Sequence, residues 1–361
     1  MPANRMNRDE FYGAMGPCDD ARLRKVLWTV YWRGNAQLRE RIEDELRPQD
    51  QPKVKPKNEP PDPIGVLAEL TTFVELARDG AYMYGDRRVH HTERSKWRYT
   101  FRRLTADALA ALTASEPAPA QQAVAKIVDL ACDMKGSDYF HSDDPVEAAK
   151  FVVSEAVAAL WESVLRHDGF AAFAGCVPGQ LIRWEAHYGW TRGGYGQVAG
   201  RETPLAVPLA RLLATPDMWR TFAESYLEAL EVAGRADSKR PRTVFGTVNE
   251  TSYRRKERAD DLAVWHEMLL DRFAGTPEDK LLDRLVANPA LAGPEVIFLR
   301  ARIADQRADA SQAAALITRC LKELPGCQAY LDFAVKVGAE LPPRSRQIAA
   351  ERARAVTYFP T

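Results

Sequence analysis

Apolar residues recur every three and four positions along most of this 361-residue chain, and alternating β-branched runs are nearly missing. The first pattern lines one face of a 3.6-residue turn, whereas a half-buried strand needs the second. Leu67, Leu70, Val74 and Ala77 make one stripe, and Trp97, Phe101, Leu104 and Ala108 another. Ala123, Ile127 and Leu130 start a third. The run Val146 to His167, with Val153, Val157, Leu160, Trp161 and Val164, predicts one long buried helix. Leu205 to Leu213 and Trp219 to Val232 supply two more. Leu262, Trp265, Leu269 and Phe273 line a further helix, and Leu281, Leu282, Leu285 and Val286 the next. The expected fold is all-α, a multi-helix protein with a C-terminal region like an α-solenoid.

Punctuation divides the chain. A length of 361 residues predicts two or three domains, because single cores stop growing near about 250–300 residues. Residues 1–47 form a small helical unit: Leu23, Leu27, Val30 and Tyr31, then Leu38, Ile42 and Leu46, flank an Arg33-Gly34-Asn35 turn. That unit is too small to bury much apolar surface alone, so it docks or binds something. Prolines at 48, 52, 56, 60, 61 and 63 make residues 48–63 an extended linker. Residues 64–235 form a central helical domain. Residues 236–253 form a basic loop with room for a small hairpin at Thr243-Val244-Phe245-Gly246. Residues 254–361 are helical throughout.

One part of that last region resembles a known family. Ala301, Ala313 and Cys320 supply small residues, Ile297 and Ile317 large ones, and Pro325 stands where a second helix ends. In these features residues 294–327 resemble a tetratricopeptide-type helical repeat of about 34 residues. Arg300 stands where that motif prefers Leu and Ala304 where it prefers an aromatic. The resemblance implies stacked helix pairs presenting a concave surface to a partner.

Chemistry-bearing motifs are missing. Lys plus Arg and Asp plus Glu balance at 50 each, so no net field draws the chain to polyanions or membranes. Five scattered cysteines without a CxxC argue against disulfide and zinc frameworks and for a reducing compartment. Asn4 to Glu10 has no apolar run behind it, unlike a signal peptide, and no run approaches the ~18 apolar residues of a membrane span. His266-Glu267 lacks the second histidine of HExxH. Gly175-Cys176 lacks the spacer residue of a nucleophile elbow, so Cys176 with His187 as base is a weak catalytic pair. Gly194-Tyr195-Gly196-Gln197-Val198-Ala199 fits a dinucleotide loop formally, but no strand precedes it. Asp129 to Glu147 is acidic without calcium-loop spacing, and Asp143-Asp144-Pro145 reads as a helix start. No catalytic, cofactor or metal residues are expected.

Three surfaces remain. In residues 85–103, Arg87 and Arg88 precede a helix that places Arg94, Arg98 and Arg102 on one face and Trp97, Phe101 and Leu104 on another. Residues 235–258 carry a second basic cluster, with Arg254, Arg255 and Lys256. Residues 183–200 hold Trp184, Tyr188, Trp190 and Tyr195 among glycines, which suits an ordered loop. Together these point to a non-enzymatic protein-interaction scaffold in a bacterial-type cytoplasmic assembly, an origin suggested by the Ala- and Arg-rich composition. The alternative is a nucleic-acid-binding accessory protein using segments 85–103 and 235–258. A scaffold expects Arg94, Arg98 and Arg102 to pair with the acidic stretch 129–147; a nucleic-acid binder expects them exposed and continuous with Arg254–Lys256.

Overall fold

The computed structural model describes residues 8–33, 42, 60–83, 88–134, 136–185, 196–239 and 249–358. Every regular element among them is a helix, 18 in all, so the chain is all-α. It divides into two units, Met1–Glu59 and Pro60–Thr361.

The first unit contains α1 (Arg8–Met15) and α2 (Asp20–Arg33). Asp19 caps α2 by accepting from Arg22 N at 2.8 Å. Trp28 stacks on Tyr31 and on Trp32, each at 5.7 Å. No residue of α2 is buried. The expected helix through Leu38 and Leu46, and residues 48–59 of the expected linker, lie outside the described residues.

The second unit holds sixteen helices. In chain order they are α3 (Pro63–Arg78), α4 (His91–Ser95), α5 (Trp97–Ala111), α6 (Ala118–Asp133), α7 (Pro145–Ala149), α8 (Val153–His167), α9 (Gly169–Trp184), α10 (Ala206–Leu212) and α11 (Pro216–Lys239). Then follow α12 (Asn249–Asp261), α13 (Ala263–Phe273), α14 (Lys280–Val286), α15 (Pro294–Gln306), α16 (Ala310–Glu323), α17 (Gln328–Lys336) and α18 (Pro343–Tyr358). Their starts follow local chemistry. Asp62 accepts from Ile64 N and Gly65 N ahead of Pro63, and Asp309 from Gln312 N.

α6 packs against α3, α5, α8 and α9, and α9 packs on α11. Between these helices lies an aromatic cluster. Trp97 stacks on Phe140 at 4.2 Å, and Phe73 meets Phe101 edge-on at 6.0 Å. Such pairs add about 0.5–1.5 kcal/mol each beyond their burial. One hydrophobic core runs from Val66 to Ile303 and continues past segment 236–253. The splice is aromatic: Trp265 of α13 stacks on Trp219 of α11 at 5.4 Å and meets Phe222 edge-on at 5.5 Å. A smaller core joins α15, α16 and α17 through Ile297, Ala301, Ile317, Cys320 and Tyr330.

Two expectations change here, and one helix is new. The run 146–167 is two helices, because Lys150 adopts φ 53° and ends α7 before α8 begins. Residues 169–184, with three glycines and Pro178, form the full helix α9. Its stripe of Phe173, Val177, Leu181 and Trp184 is fully buried, and that burial outweighs the poor helix propensity. The basic segment 236–253 is helical at both ends, where α11 runs to Lys239 and α12 starts at Asn249; residues 240–248, with the Thr243–Gly246 piece, lie outside the described residues.

Candidate functional site

The first basic segment turns much of its charge inward. Arg88 donates to Asp79 Oδ2 at 3.0 Å and to Asp79 O at 2.6 Å. Arg94 Nη1 donates to Met83 O at 3.1 Å, and its Nε is buried. Arg102 donates to Ala149 O at 2.9 Å and Ala148 O at 2.6 Å, capping the C-terminal carbonyls of α7. Arg98 lies over the Tyr99 ring at 4.9 Å. The expected pairing with carboxylates of the acidic stretch is therefore replaced, for Arg94 and Arg102, by backbone carbonyls. For Arg102 the acceptors lie at a helix end and carry part of a negative charge, while Arg94 binds a carbonyl of the turn after α3. Arg87 lies outside the described residues.

The second cluster is also engaged. Arg254 pairs with Glu250 one turn earlier. Arg255 buries its Nε without a hydrogen-bond partner, and its backbone carbonyl accepts from Ala292 N at 3.3 Å. The Lys256 stem packs where a side chain on Gly293 would stand. α5 packs on α3, α4, α6, α7 and α8, whereas α12 packs on α11, α13 and α15, so the two basic clusters have separate neighbours.

Trp184 is a core residue and not part of a surface. It is fully buried, and its Nε1 donates to Asp129 Oδ1 at 2.6 Å. Tyr188, Trp190 and Tyr195, and His187 with them, lie outside the described residues. Cys176 lies on the exposed face of α9, yet partial desolvation by its neighbours raises its thiol pKa, against what a nucleophile needs. Among the described residues no group of three His, Cys, Asp or Glu side chains is placed to hold a metal ion, and no helix is long and apolar enough to cross a membrane.

Two buried carboxylates, Glu202 and Glu185, and half-buried Glu147 anchor the flanks of the glycine-rich segment. Glu202 accepts from Val153 N at 2.6 Å and Ser154 N at 3.0 Å, satisfying the first turn of α8. Burial raises its pKa, and those same hydrogen bonds oppose the rise. Glu185 accepts from Leu205 N at 2.6 Å just ahead of α10. Glu147 accepts from Gln197 N and Val198 N. Gly196, at φ 147°, is needed there, because a Cβ would stand 2.5 Å from Glu147 Oε2.

A second buried polar group joins α11 to α13. Tyr226 Oη and His266 Nε2 lie 2.7 Å apart, one hydrogen bond whose donor depends on the imidazole tautomer. Both side chains are enclosed, and burial lowers the His266 pKa to about 3. Nearby, Arg258 pairs with buried Asp237 at 2.8 Å and donates to Ala290 O at 2.9 Å.

Concavity with convergent side chains occurs elsewhere. Three helices, α13, α15 and α17, line an open groove of about 470 Å³. Phe298, Tyr330 and Phe333 form an aromatic wall: Phe298 lies 4.8 Å from Tyr330 and meets Phe333 at 90° and 5.4 Å. Arg302 pairs with Glu267 at 2.8 Å, and Lys336 with Asp305 at 2.8 Å. Tyr330 Oη donates to Glu295 Oε2 at 3.2 Å. Ala263, Val264 and exposed Ala329 complete the lining. The sequence reading passed over this site, although its signal was present. Glu295, Phe298 and Arg302 follow i, i+3, i+7 on α15, opposite the core stripe of Ile297, Ala301 and Ala304. Compared with protein-family models, curated proteins and solved structures, the chain matches none.

Proposed function

We propose that the chain is a non-enzymatic protein-interaction scaffold whose partner lies in the α13–α15–α17 groove. One observation carries this reading: α13, α15 and α17 converge on one open groove with an aromatic wall and charged side chains. Aromatic residues and arginine are the groups that anchor protein interfaces. The resemblance of residues 294–327 to a tetratricopeptide-type repeat supports the same use, and the Ala- and Arg-rich composition suits a bacterial-type cytoplasmic assembly. The nucleic-acid reading has weaker support, because Arg94 and Arg102 donate to backbone carbonyls of their own unit.

Selection of displayed random peptides on the purified chain tests the reading, with Ala329→Trp as counter-target. Ala329 is exposed and lines the groove, so the indole obstructs the groove without disturbing the core. Selected peptides should bind the variant about tenfold more weakly or worse. Equal binding to both proteins would place the partner site elsewhere.

A further inference from the structure

The groove's charges are unevenly matched. Its lining holds Glu267, Glu295 and Asp332 against Arg302 and Lys336. Both cations already have carboxylates: Arg302 takes Glu267 and reaches Asp271 at 4.0 Å, and Lys336 takes Asp305. Both also lie over the aromatic wall, Arg302 at 5.9 Å from the Phe298 centroid and Lys336 at 5.7 Å from that of Phe333. Glu295 and Asp332 are left, among the described residues, with hydrogen bonds from Tyr330 Oη and Gln328 Nε2 and no ion pair.

Of these two, Glu295 is the costlier to leave so. Burial raises its pKa, and the nearby charges of Asp260 and Glu267 push the same way, while the Tyr330 hydrogen bond and Arg302 oppose them. Its place in the first turn of α15 lets the helix dipole tolerate the anion. A phenol hydrogen bond and a helix end do not neutralise a carboxylate in such surroundings, but an incoming cation does. Half-buried Phe298 beside it offers the apolar surface that a long cationic side chain covers with its stem.

Resting on the groove reading above, we propose that the partner segment presents a lysine or arginine, its cation paired with Glu295 and its stem laid over half-buried Phe298.

The test uses the groove-dependent peptides from the display selection, measured by fluorescence polarisation against the full chain. Those peptides should be enriched in Lys or Arg at one position. Replacing that residue with norleucine should weaken binding about tenfold or more. Glu295→Gln keeps an acceptor for Tyr330 and removes the charge. It should weaken the cationic peptide by a similar factor and leave the norleucine peptide within about twofold. A merely structural Glu295 would weaken both peptides equally, and that result overturns the proposal. Groove-dependent peptides with no basic preference, or with an acidic one, overturn it while leaving the scaffold reading standing. Failure to obtain any groove-dependent peptide overturns both.

Discussion

Mild acid should destabilise the second unit through a single enclosed imidazole. His266 is 3% exposed, and burial lowers its pKa from 6.5 to about 3. A histidine whose folded pKa lies below its unfolded value takes up its proton first in the unfolded chain. Stability is therefore lost as pH falls from about 6.5, and the loss continues until the folded value is reached. At about pH 5 the unfolded imidazole is charged and the folded one is still neutral. The loss relative to about pH 7.5 is then roughly 1.5 pH units at about 1.4 kcal/mol each, or about 2 kcal/mol. This figure hardly depends on the exact folded value, because any folded pKa below about 4 leaves the ring neutral at that pH. Buried Glu202 and half-buried Glu295 work in the opposite sense: their raised carboxyl pKa values favour the fold as pH drops. A variant isolates the histidine. His266→Gln offers Tyr226 a hydrogen-bonding partner that does not titrate. Urea unfolding followed by circular dichroism from about pH 7.5 to about pH 5 should show the wild type losing about 2 kcal/mol more than His266→Gln. Parallel curves for the two proteins would refute the reasoning.

Other consequences are equally open to measurement. Arg258→Met leaves Asp237 buried without its cation and should cost about 3–5 kcal/mol in urea unfolding, with much of the loss recovered by adding Asp237→Leu; a cost below about 1 kcal/mol would contradict the buried pair. Gly196→Ala combines a strained φ with a clash on Glu147 and should lower stability by about 1–3 kcal/mol, whereas Gly136→Ala, with no atom within 4 Å, should be nearly neutral. Labelled DNA and RNA oligonucleotides should show no micromolar binding at physiological salt; such binding, weakened by Arg98→Glu, would restore the nucleic-acid reading. Arg102→Glu should destabilise the protein measurably, since it places an anion against the α7 carbonyls.

The helices that sequence reading found are those whose apolar stripes use good helix formers. Leu70, Phe101, Ile127, Leu160 and Trp265 are all fully or almost fully buried. Helix α9 escaped because Gly175, Pro178 and Gly179 mask a stripe that only tertiary packing rewards. The break at Lys150 escaped because a lysine at positive φ leaves no mark on hydrophobic spacing. Trp184 was misplaced by its aromatic neighbours in sequence, while its partners Phe173, Val177 and Leu181 lie behind it on the same helix face. The groove stayed hidden for a related reason. Phe298, Tyr330 and Phe333 contribute to the second core and to the groove at once, and spacing alone does not separate the two tasks.

The caps supplied by Glu202 and Glu185 bear on how the protein opens. Val153 and Ser154 find their acceptor 49 and 48 residues further along the chain, and Leu205 finds its own 20 residues back. The start of α8 therefore cannot be completed by local folding; it waits for residues 198–205 to arrive. In the folded protein the same links bind distant amides into one opening event. Hydrogen exchange should show Val153, Ser154, Val198 and Leu205 exchanging at a common rate, as a cooperative unit that the chain order of the helices does not suggest.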